Sequence, residues 1–508
     1  MKRLARLALI ATCLAAPACA AIARGYDIAP SGLSRPDDRL RRTLARGGLD
    51  SAAAWKAVSG EAAPRDDLLR LLYEGIVAYH GGDPMGSVQA LDRAAELAED
   101  RYTKSISRAG LSLLTSDLVL PYEPGRTERL MIPYYAALGW LAAGNIEEAA
   151  VEARRIGQLL EAQDGEPRPE DRRLHAFLRY FAGAIFEAAG ETNDAAVAYR
   201  NARLLAGESL PPDPYSTDAP SERRRTGDGL GEVLVVVEEG FVAHRAPQSV
   251  VVVLHPEEAK ALSGGEREER TVVAAAVAAR VVAYAFQLSA NTAQVRSPAD
   301  YRRTLFVPQP DTPAVQLREK ERRCETRTVA PGAKTGQAAE KCEEKDDDED
   351  DATAYPLHIA WPIYVREPTI PGPIVVRTGD AELPLTFAAD LSDPVIADFE
   401  AERPLRLARM LARAAAKFAL TRSLEKSAAK KDEGLGHVVG LIAGVSSAVL
   451  EQADTRCWHL LPGRAGLLRL RLPAGRHTLH VVGPDGTDRP LDVDVRPGRL
   501  TIVSTRIW

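Results

Sequence analysis

The sequence predicts a multidomain α+β protein, in which a superhelix of helical hairpins precedes a β-sheet or sandwich domain with inserted helices. Helical periodicity dominates residues 63–210, and the apolar period changes to two from Glu232 onward. Residues 457–508 then alternate apolar and polar side chains between turns rich in Gly, Pro and Asp. A length of 508 residues with 45% hydrophobic residues is enough for more than one core.

The chain begins with the pattern of a bacterial export signal. Basic residues precede a short apolar run from Leu7 to Ala16, and small residues follow it. The run is shorter than the roughly 20 residues that span a bilayer, which favours a cleaved signal over residues 1–19. Two cleavages fit the residues. An A-x-A site would release the chain, whereas cleavage before Cys19 would expose its thiol for lipid attachment.

After a polar and helical lead over residues 20–62, three segments share one pattern of helix, turn and second helix. These segments are Leu71–Leu97, Tyr134–Ile156 and Phe177–Leu205. A glycine stands at each turn, where it can end the first helix in a left-handed conformation; these glycines are Gly82, Gly144 and Gly190. Such a hairpin has an apolar face that it cannot bury alone, so stacking on neighbouring hairpins is expected.

Small and large residues also recur around two of the turns. Gly75 and Gly183 precede the turn, while Leu91 and Tyr199 follow it, which resembles tetratricopeptide (TPR) repeats. The turn glycines are 62 and 46 residues apart instead of 34, and the Trp and Pro hallmarks are missing. An ordinary bundle of helical hairpins is therefore the alternative to a TPR-like array.

In a helical stack, the first helix of each hairpin lines the inner groove. Aromatic and Arg side chains dominate binding energy at protein interfaces. The candidates on these helices for contact with a partner are Tyr79, Tyr134, Arg179 and Tyr180. The alternative for the tyrosines is that they pack between hairpins.

The second half of the chain divides by composition. A linker over residues 211–229 leads into an α+β domain over residues 230–508. An acidic insertion at 316–354 has the composition of a disordered segment, and helices at 393–450 interrupt the strands. We expect the strands between Glu232 and Phe387 to join those of the tail.

Alternation in the tail predicts which strand face is buried. Leu468, Leu470 and Leu472 point to one side of a strand. Arg469 and Arg471 point to the other side. This pattern predicts one buried face and one face in water.

No recognised catalytic, phosphate-binding, cofactor or metal motif occurs in the sequence. Cys457 and His459 are two residues apart, yet two ligands without visible others favour packing over a metal site. Cys324 and Cys342 flank one polar loop and could form a disulfide in an oxidising compartment. A net charge of −6 gives no electrostatic argument for binding nucleic acid.

Three runs carry a resemblance to a known family: "PYYAALGWLAAGNIEEAAVEARRI", "LARMLARAAAKFALTRSLEK" and "EQADTRCWHLLPGRAGLLRLRLPAGRHTL". They resemble bacterial TPR-containing envelope lipoproteins of largely unknown function, from about Leu68 onward. The tail at 457–508 also resembles small β modules of the PEGA type. The resemblance implies lipid at Cys19 and a periplasmic chain attached to a membrane, with the outer membrane favoured over a soluble periplasmic state.

The sequence as a whole favours a non-catalytic scaffold or adaptor that binds an unidentified protein of the envelope through its helical repeats. Two alternatives stay open. One is a structural subunit of an envelope export or cell-wall assembly machine. The other is an envelope enzyme whose site is assembled from unrelated loops, which would require convergent titratable groups in one pocket.

Overall fold

The structure, a computed structural model, describes residues 28–29, 31–46, 66–108, 120–163, 165–215, 229–264, 305–307, 355–367, 370–403 and 453–508, with a few further positions between 269 and 280 and at 406 and 410. Several predictions lie outside the described residues: Cys19, the pair Cys324 and Cys342, the insertion at 316–354 and most of the helical insertion beyond residue 410. The described part is a mixed α+β protein, as the sequence predicts.

Between residues 66 and 206, the described part of the chain contains six helices. They are α2 (Asp67–His80), α3 (Pro84–Arg108), α4 (Arg126–Ala142), α5 (Ile146–Glu161), α6 (Arg172–Ala189) and α7 (Thr192–Ala206), with a short 3₁₀ turn at Gly207–Ser209. Each helix packs on the next one in sequence, so the chain makes three helical hairpins in a row. The glycine that follows the first helix of each hairpin has a positive φ, as predicted; the values are 81° at Gly82, 77° at Gly144 and 83° at Gly190.

The small and large residues identified in the sequence do meet within the hairpins. A Cβ added to Gly75 would lie 2.6 Å from the side chain of Leu91, and one added to Gly183 would lie 3.0 Å from the ring of Tyr199. Both distances are shorter than an ordinary carbon contact. Glycine therefore allows the two helices of each hairpin to approach closely.

One further helix, α1 (Arg35–Ala45), lies in the predicted polar lead. Ser34 caps it by accepting a hydrogen bond from the Asp37 backbone N–H, and Pro36 occupies a first-turn position. The helix is not a surface appendage, because Leu40, Arg41 and Leu44 are all buried.

The strands are β1 (Leu230–Glu239), β2 (His244–Leu254), β3 (Leu305–Val307), β4 (Tyr355–Val365), β5 (Val375–Thr378), β6 (Ala381–Pro384), β7 (Phe387–Asp390), β8 (Arg464–Pro473), β9 (Gly475–Val482), β10 (Asp488–Val495) and β11 (Leu500–Ile507). Helix α8 (Pro256–Gly264) follows β2, and residues 392–403 are helical.

The described strands form three sheets, with orders β11-β1-β8-β7, β10-β9-β5-β6 and β3-β2-β4. Strands β1, β5, β6 and β7 thus share sheets with tail strands, as expected, whereas β2, β3 and β4 make a sheet of their own. In the first sheet, β1 runs parallel to β11 and antiparallel to β8.

The β1 strand is buried on both faces. Val233, Val235 and Val237 join an apolar core shared with β8, β9 and β10. Leu234 and Val236 belong to the core of the helices. The sheet that contains β1 is therefore the middle layer of three, between the helices and the second four-stranded sheet.

This layering overturns the predicted wet face of β8. Arg469 was expected in water, yet it is buried with 6% exposure. The reason is that α6 contacts β8 on that face. Alternation showed that the two faces differ, but it could not show that the polar face would be covered by a helix.

Candidate functional site

The first helices of the hairpins lie against the β11-β1-β8-β7 sheet. Helix α6 contacts β7, β8 and β11, and α4 contacts β11. Helix α2 reaches the same sheet through the side chains of Tyr79 and His80. The helix faces predicted to form an open groove are thus covered by the protein's own sheet.

The structure places three of the four predicted partner residues in that covered interface. Tyr79 forms a hydrogen bond with Ser504, and Tyr134 donates one to Glu238 Oε1 at 3.1 Å. Tyr180 donates to the Pro212 carbonyl at 3.5 Å, and burial raises the pKa of its hydroxyl to about 12. Tyr134 and Tyr180 have at most 1% exposure, so a second protein cannot contact them without displacing the sheet.

A buried ionic network holds α6 to the sheet. The Arg469 guanidinium donates two hydrogen bonds to Glu187, at 2.6 and 2.9 Å, and one to the Tyr199 hydroxyl at 3.1 Å. It also pairs with Glu232 on the neighbouring strand β1. Arginine suits this position because its planar group satisfies several acceptors at once.

A second buried cluster, here called the Arg41 centre, consists of Asp37, Arg41, His244, Glu367, Cys457 and His459. Arg41 donates to His459 Nδ1 at 3.1 Å and to Glu367 Oε1 at 2.7 Å, and its Nη1 lies 3.1 Å from His244 Nδ1. These contacts join α1 to residues more than 200 positions away in the chain. A single arginine therefore fastens the predicted lead to the β region.

The geometry of the Arg41 centre assigns both histidines the same neutral form. Each Nδ1 faces Arg41 and accepts, while Nε2 of His244 donates to the Ser31 carbonyl at 2.8 Å and that of His459 lies 3.3 Å from Asp37. Burial, followed by the charge of Arg41, holds the pKa of His244 well below its ordinary value. Burial also lowers the pKa of His459, although Asp37 opposes the shift.

Cys457 does not have the surroundings of a nucleophile. Its thiol is buried, accepts a hydrogen bond from the Arg245 backbone N–H at 3.5 Å, and has a pKa raised by burial to about 12. Both ring nitrogens of His459 face Arg41 and Asp37 and not the sulfur. Among the described residues, no group of three or more His, Cys, Asp and Glu side chains could hold a metal ion.

An accessible groove lies on the other side of the helices and is here called the α5–α7 cleft. It has two lobes, of about 430 and 300 Å³, which share Leu160, Glu161, Arg179 and Asn201. Helix α6 forms its floor, because α5 and α7 both pack on α6. A volume of this size is typical of sites for ligands or peptide segments.

Arg179, the fourth predicted partner residue, is the side chain that joins the two lobes. Along α6 it is preceded by His175 and followed by Ala182 and Phe186, a spacing that puts all four on one helix face. The rim contributes apolar groups, since Val197 is 37% exposed and Leu204 is 73% exposed. The cleft thus presents apolar surface around one guanidinium.

Sequence reasoning selected Arg179 but not the cleft around it. The signal was present in α7, where Val197, Asn201 and Leu204 repeat at helical spacing. The Arg41 centre carried no comparable signal, because its members are scattered from Asp37 to His459.

Comparisons with families of known proteins, with curated proteins and with solved structures found no match to this chain. Among the described residues, no helix combines the length and the apolar character needed to cross a membrane.

Proposed function

We propose that this protein is a non-catalytic adaptor of the bacterial cell envelope, which binds a partner protein in the α5–α7 cleft. The observation that carries the proposal is the division of the helical surface. The inner face of α2, α4 and α6 is covered by the protein's own sheet, while the cleft on the opposite side exposes Val197, Leu204 and Arg179. Apolar side chains around an arginine are typical of interface centres.

The cellular location and the repeat type proposed for this adaptor are inferred from the sequence. The proposal includes a TPR-like character for the three hairpins, export through residues 1–19, and attachment to a membrane by lipid on Cys19, with the periplasmic face of the outer membrane favoured. The buried α1 follows Cys19 by only 15 residues, and a chain spans at most about 3.6 Å per residue. A lipid at Cys19 would therefore keep the folded body within about 55 Å of the membrane surface.

The test replaces an apolar residue of the cleft with a charged one and follows the partner. Val197→Asp should abolish co-purification of a stoichiometric partner from detergent-solubilised native membranes. Val151→Asp is the matched control, because Val151 is 39% exposed on α5 and does not line the cleft. Circular dichroism of both variants checks that the fold is intact.

Loss of the partner in both variants, or in neither, would contradict a role for the cleft. In the second case the interaction surface would move to the β-sheets. If a variant with a blocked cleft retains every partner, the cleft is not the site through which the protein acts as an adaptor.

A further inference from the structure

The side chains of the cleft indicate which kind of partner segment it binds, and this inference rests on the function proposed above. The relevant group is Arg179. Within the described residues its guanidinium has no hydrogen bond and no ion pair, although it is half-buried. A charge removed from water without a partner is costly, so the position favours a ligand that brings a counter-charge.

The other arginines that line the cleft each have a polar partner. Arg168 pairs with Asp171 at 2.7 Å and with Asp398 at 2.6 Å, Arg154 pairs with Glu191 at 2.5 Å, and the exposed Arg126 donates to Gln163 at 3.1 Å. Arg179 differs from all three. Glu161, the carboxylate whose charge acts on it, lies on the exposed rim, where water screens the interaction.

A neutral histidine lies beside Arg179. His175 is buried, and burial lowers its pKa to about 4; the charge of Asp171 opposes this shift, and the nearby charges of Arg179, Arg126 and Arg168 add to it. The imidazole is therefore neutral at physiological pH. An anion placed between the two side chains would be attracted by the charge of Arg179, and the neutral imidazole supplies no counter-charge of its own.

Apolar surface surrounds this point. Ala182 and Phe186 continue the floor of the cleft from Arg179 toward the end of α6, and Val197 and Leu204 stand along α7. A small inorganic anion would leave these groups in water. A peptide segment would cover them and so gain hydrophobic burial in addition to the ion pair.

We propose that the α5–α7 cleft binds an amphipathic peptide segment of the partner protein, in which an Asp or Glu carboxylate pairs with Arg179 and flanking apolar side chains contact Val197 and Phe186. The carboxylate sets the register of the segment, and the apolar contacts supply most of the affinity. An amide in place of the carboxylate fills the same volume but leaves the guanidinium unpaired.

The experiment selects the segment from a displayed library of 14-residue helix-favouring peptides, using the full-length protein in detergent. Peptides that also bind the Val197→Asp variant are removed. We expect the survivors to be enriched in one acidic residue between apolar residues. Changing that residue to its amide should weaken binding at least tenfold, and Arg179→Gln should weaken the acidic peptide equally and remove the difference between the two peptides.

Arg172→Gln is the matched control, because Arg172 is an exposed arginine on α6 that does not line the cleft. This variant should bind the acidic peptide as the wild type does. A second readout is the His175 imidazole in NMR spectra, whose pKa should rise from about 4 when the acidic peptide is bound, because a carboxylate stabilises the charged ring.

The outcomes separate this inference from the function on which it rests. Selected peptides that depend on Val197 but carry no acidic residue, or that bind the Arg179→Gln variant as tightly as the wild type, would overturn the proposed carboxylate–Arg179 pair. The proposal that the cleft binds a partner would still stand. A library that yields no peptide dependent on Val197 would overturn both. If acetate alone shifts the His175 pKa and no peptide is selected, the cleft is a site for small anions, and the proposal that it binds a peptide segment is overturned.

Discussion

Two glycines inside helices should respond in opposite ways to the same substitution. Gly183 lies in α6, where an added Cβ would meet the Tyr199 ring at 3.0 Å. Gly157 lies inside α5, and nothing stands within 4 Å of the corresponding position. Alanine at both sites gains the same helix propensity, about 0.5–1 kcal/mol. The difference between the variants therefore measures the close packing of the hairpin.

The cost at Gly183 follows from how Tyr199 is held. Its hydroxyl donates to Glu187 at 2.6 Å and accepts from Arg469 at 3.1 Å, so the ring cannot move away without disturbing a buried network. Overpacking of this kind costs about 1–3 kcal/mol. After the gain in helix propensity is included, we expect Gly183→Ala to lower the free energy of unfolding by about 1–2 kcal/mol. We expect Gly157→Ala to raise it by about 0.5–1 kcal/mol.

Urea unfolding monitored by circular dichroism measures both changes. The midpoint should fall for Gly183→Ala and rise for Gly157→Ala, with the slope of the transition unchanged. If Gly183→Ala proved as stabilising as Gly157→Ala, the two helices of that hairpin would not approach as closely as described. The reading of glycine as the small partner of a TPR-like pair would then fail at its best-defined position.

Four further results are expected. Arg469→Met removes a fully buried cation from two largely covered carboxylates and should cost about 3–5 kcal/mol of unfolding free energy, whereas Arg377→Met, at a pair 43% and 61% exposed, should cost under about 1 kcal/mol in the same urea titration. The Cys457 thiol should resist iodoacetamide at pH 8 in the native protein and react in urea, as mapped by mass spectrometry, since burial raises its pKa to about 12; labelling without denaturant would refute its burial. Burial raises the pKa of Glu152 to about 7, so the stability contributed by its protonated form is present below about pH 4.5 and is lost as pH rises through 7. The free energy of unfolding of Glu152→Gln should therefore exceed that of the wild type by about 1–2 kcal/mol at pH 8 but not at pH 4.5. Equal free energies of unfolding for the two proteins at both pH values would contradict the shift. Cys19→Ser should move the protein from the membrane to the soluble fraction of fractionated cells, and unchanged membrane retention would count against a lipid anchor.

Local patterns in the sequence predicted elements well because their causes are local. The turn glycines Gly82, Gly144 and Gly190 and the period-two runs of the tail reflect backbone sterics and alternation, and the structure has helices and strands where those patterns occur. Arg469 shows the limit of this reasoning. Its position on the polar side of β8 was correct, but burial of that side depends on a helix almost 300 residues earlier in the chain.

The candidate site was predictable only in part, for the same physical reason. Arg179 could be selected as an arginine on the first helix of a hairpin, yet its exposure depends on which side of α6 the sheet covers. Tyr134 and Tyr180, selected by the same rule, lie on the covered side. Buried polar centres such as that of Arg41 leave no periodic trace, because their members come from segments that meet only in the folded protein.

The parallel pairing of β1 with β11 has a consequence for how the protein is made. Strand β11 is the last of the described elements to leave the ribosome, yet it contacts α4 and α6 and is the edge strand that pairs with β1. A nascent chain that stops at β10 has the six hairpin helices but lacks part of the surface that covers them. Such a chain would present apolar helix faces to proteases and chaperones until β11 is made, so the packing of the helices on the sheet is expected to be completed only after β11 has left the ribosome.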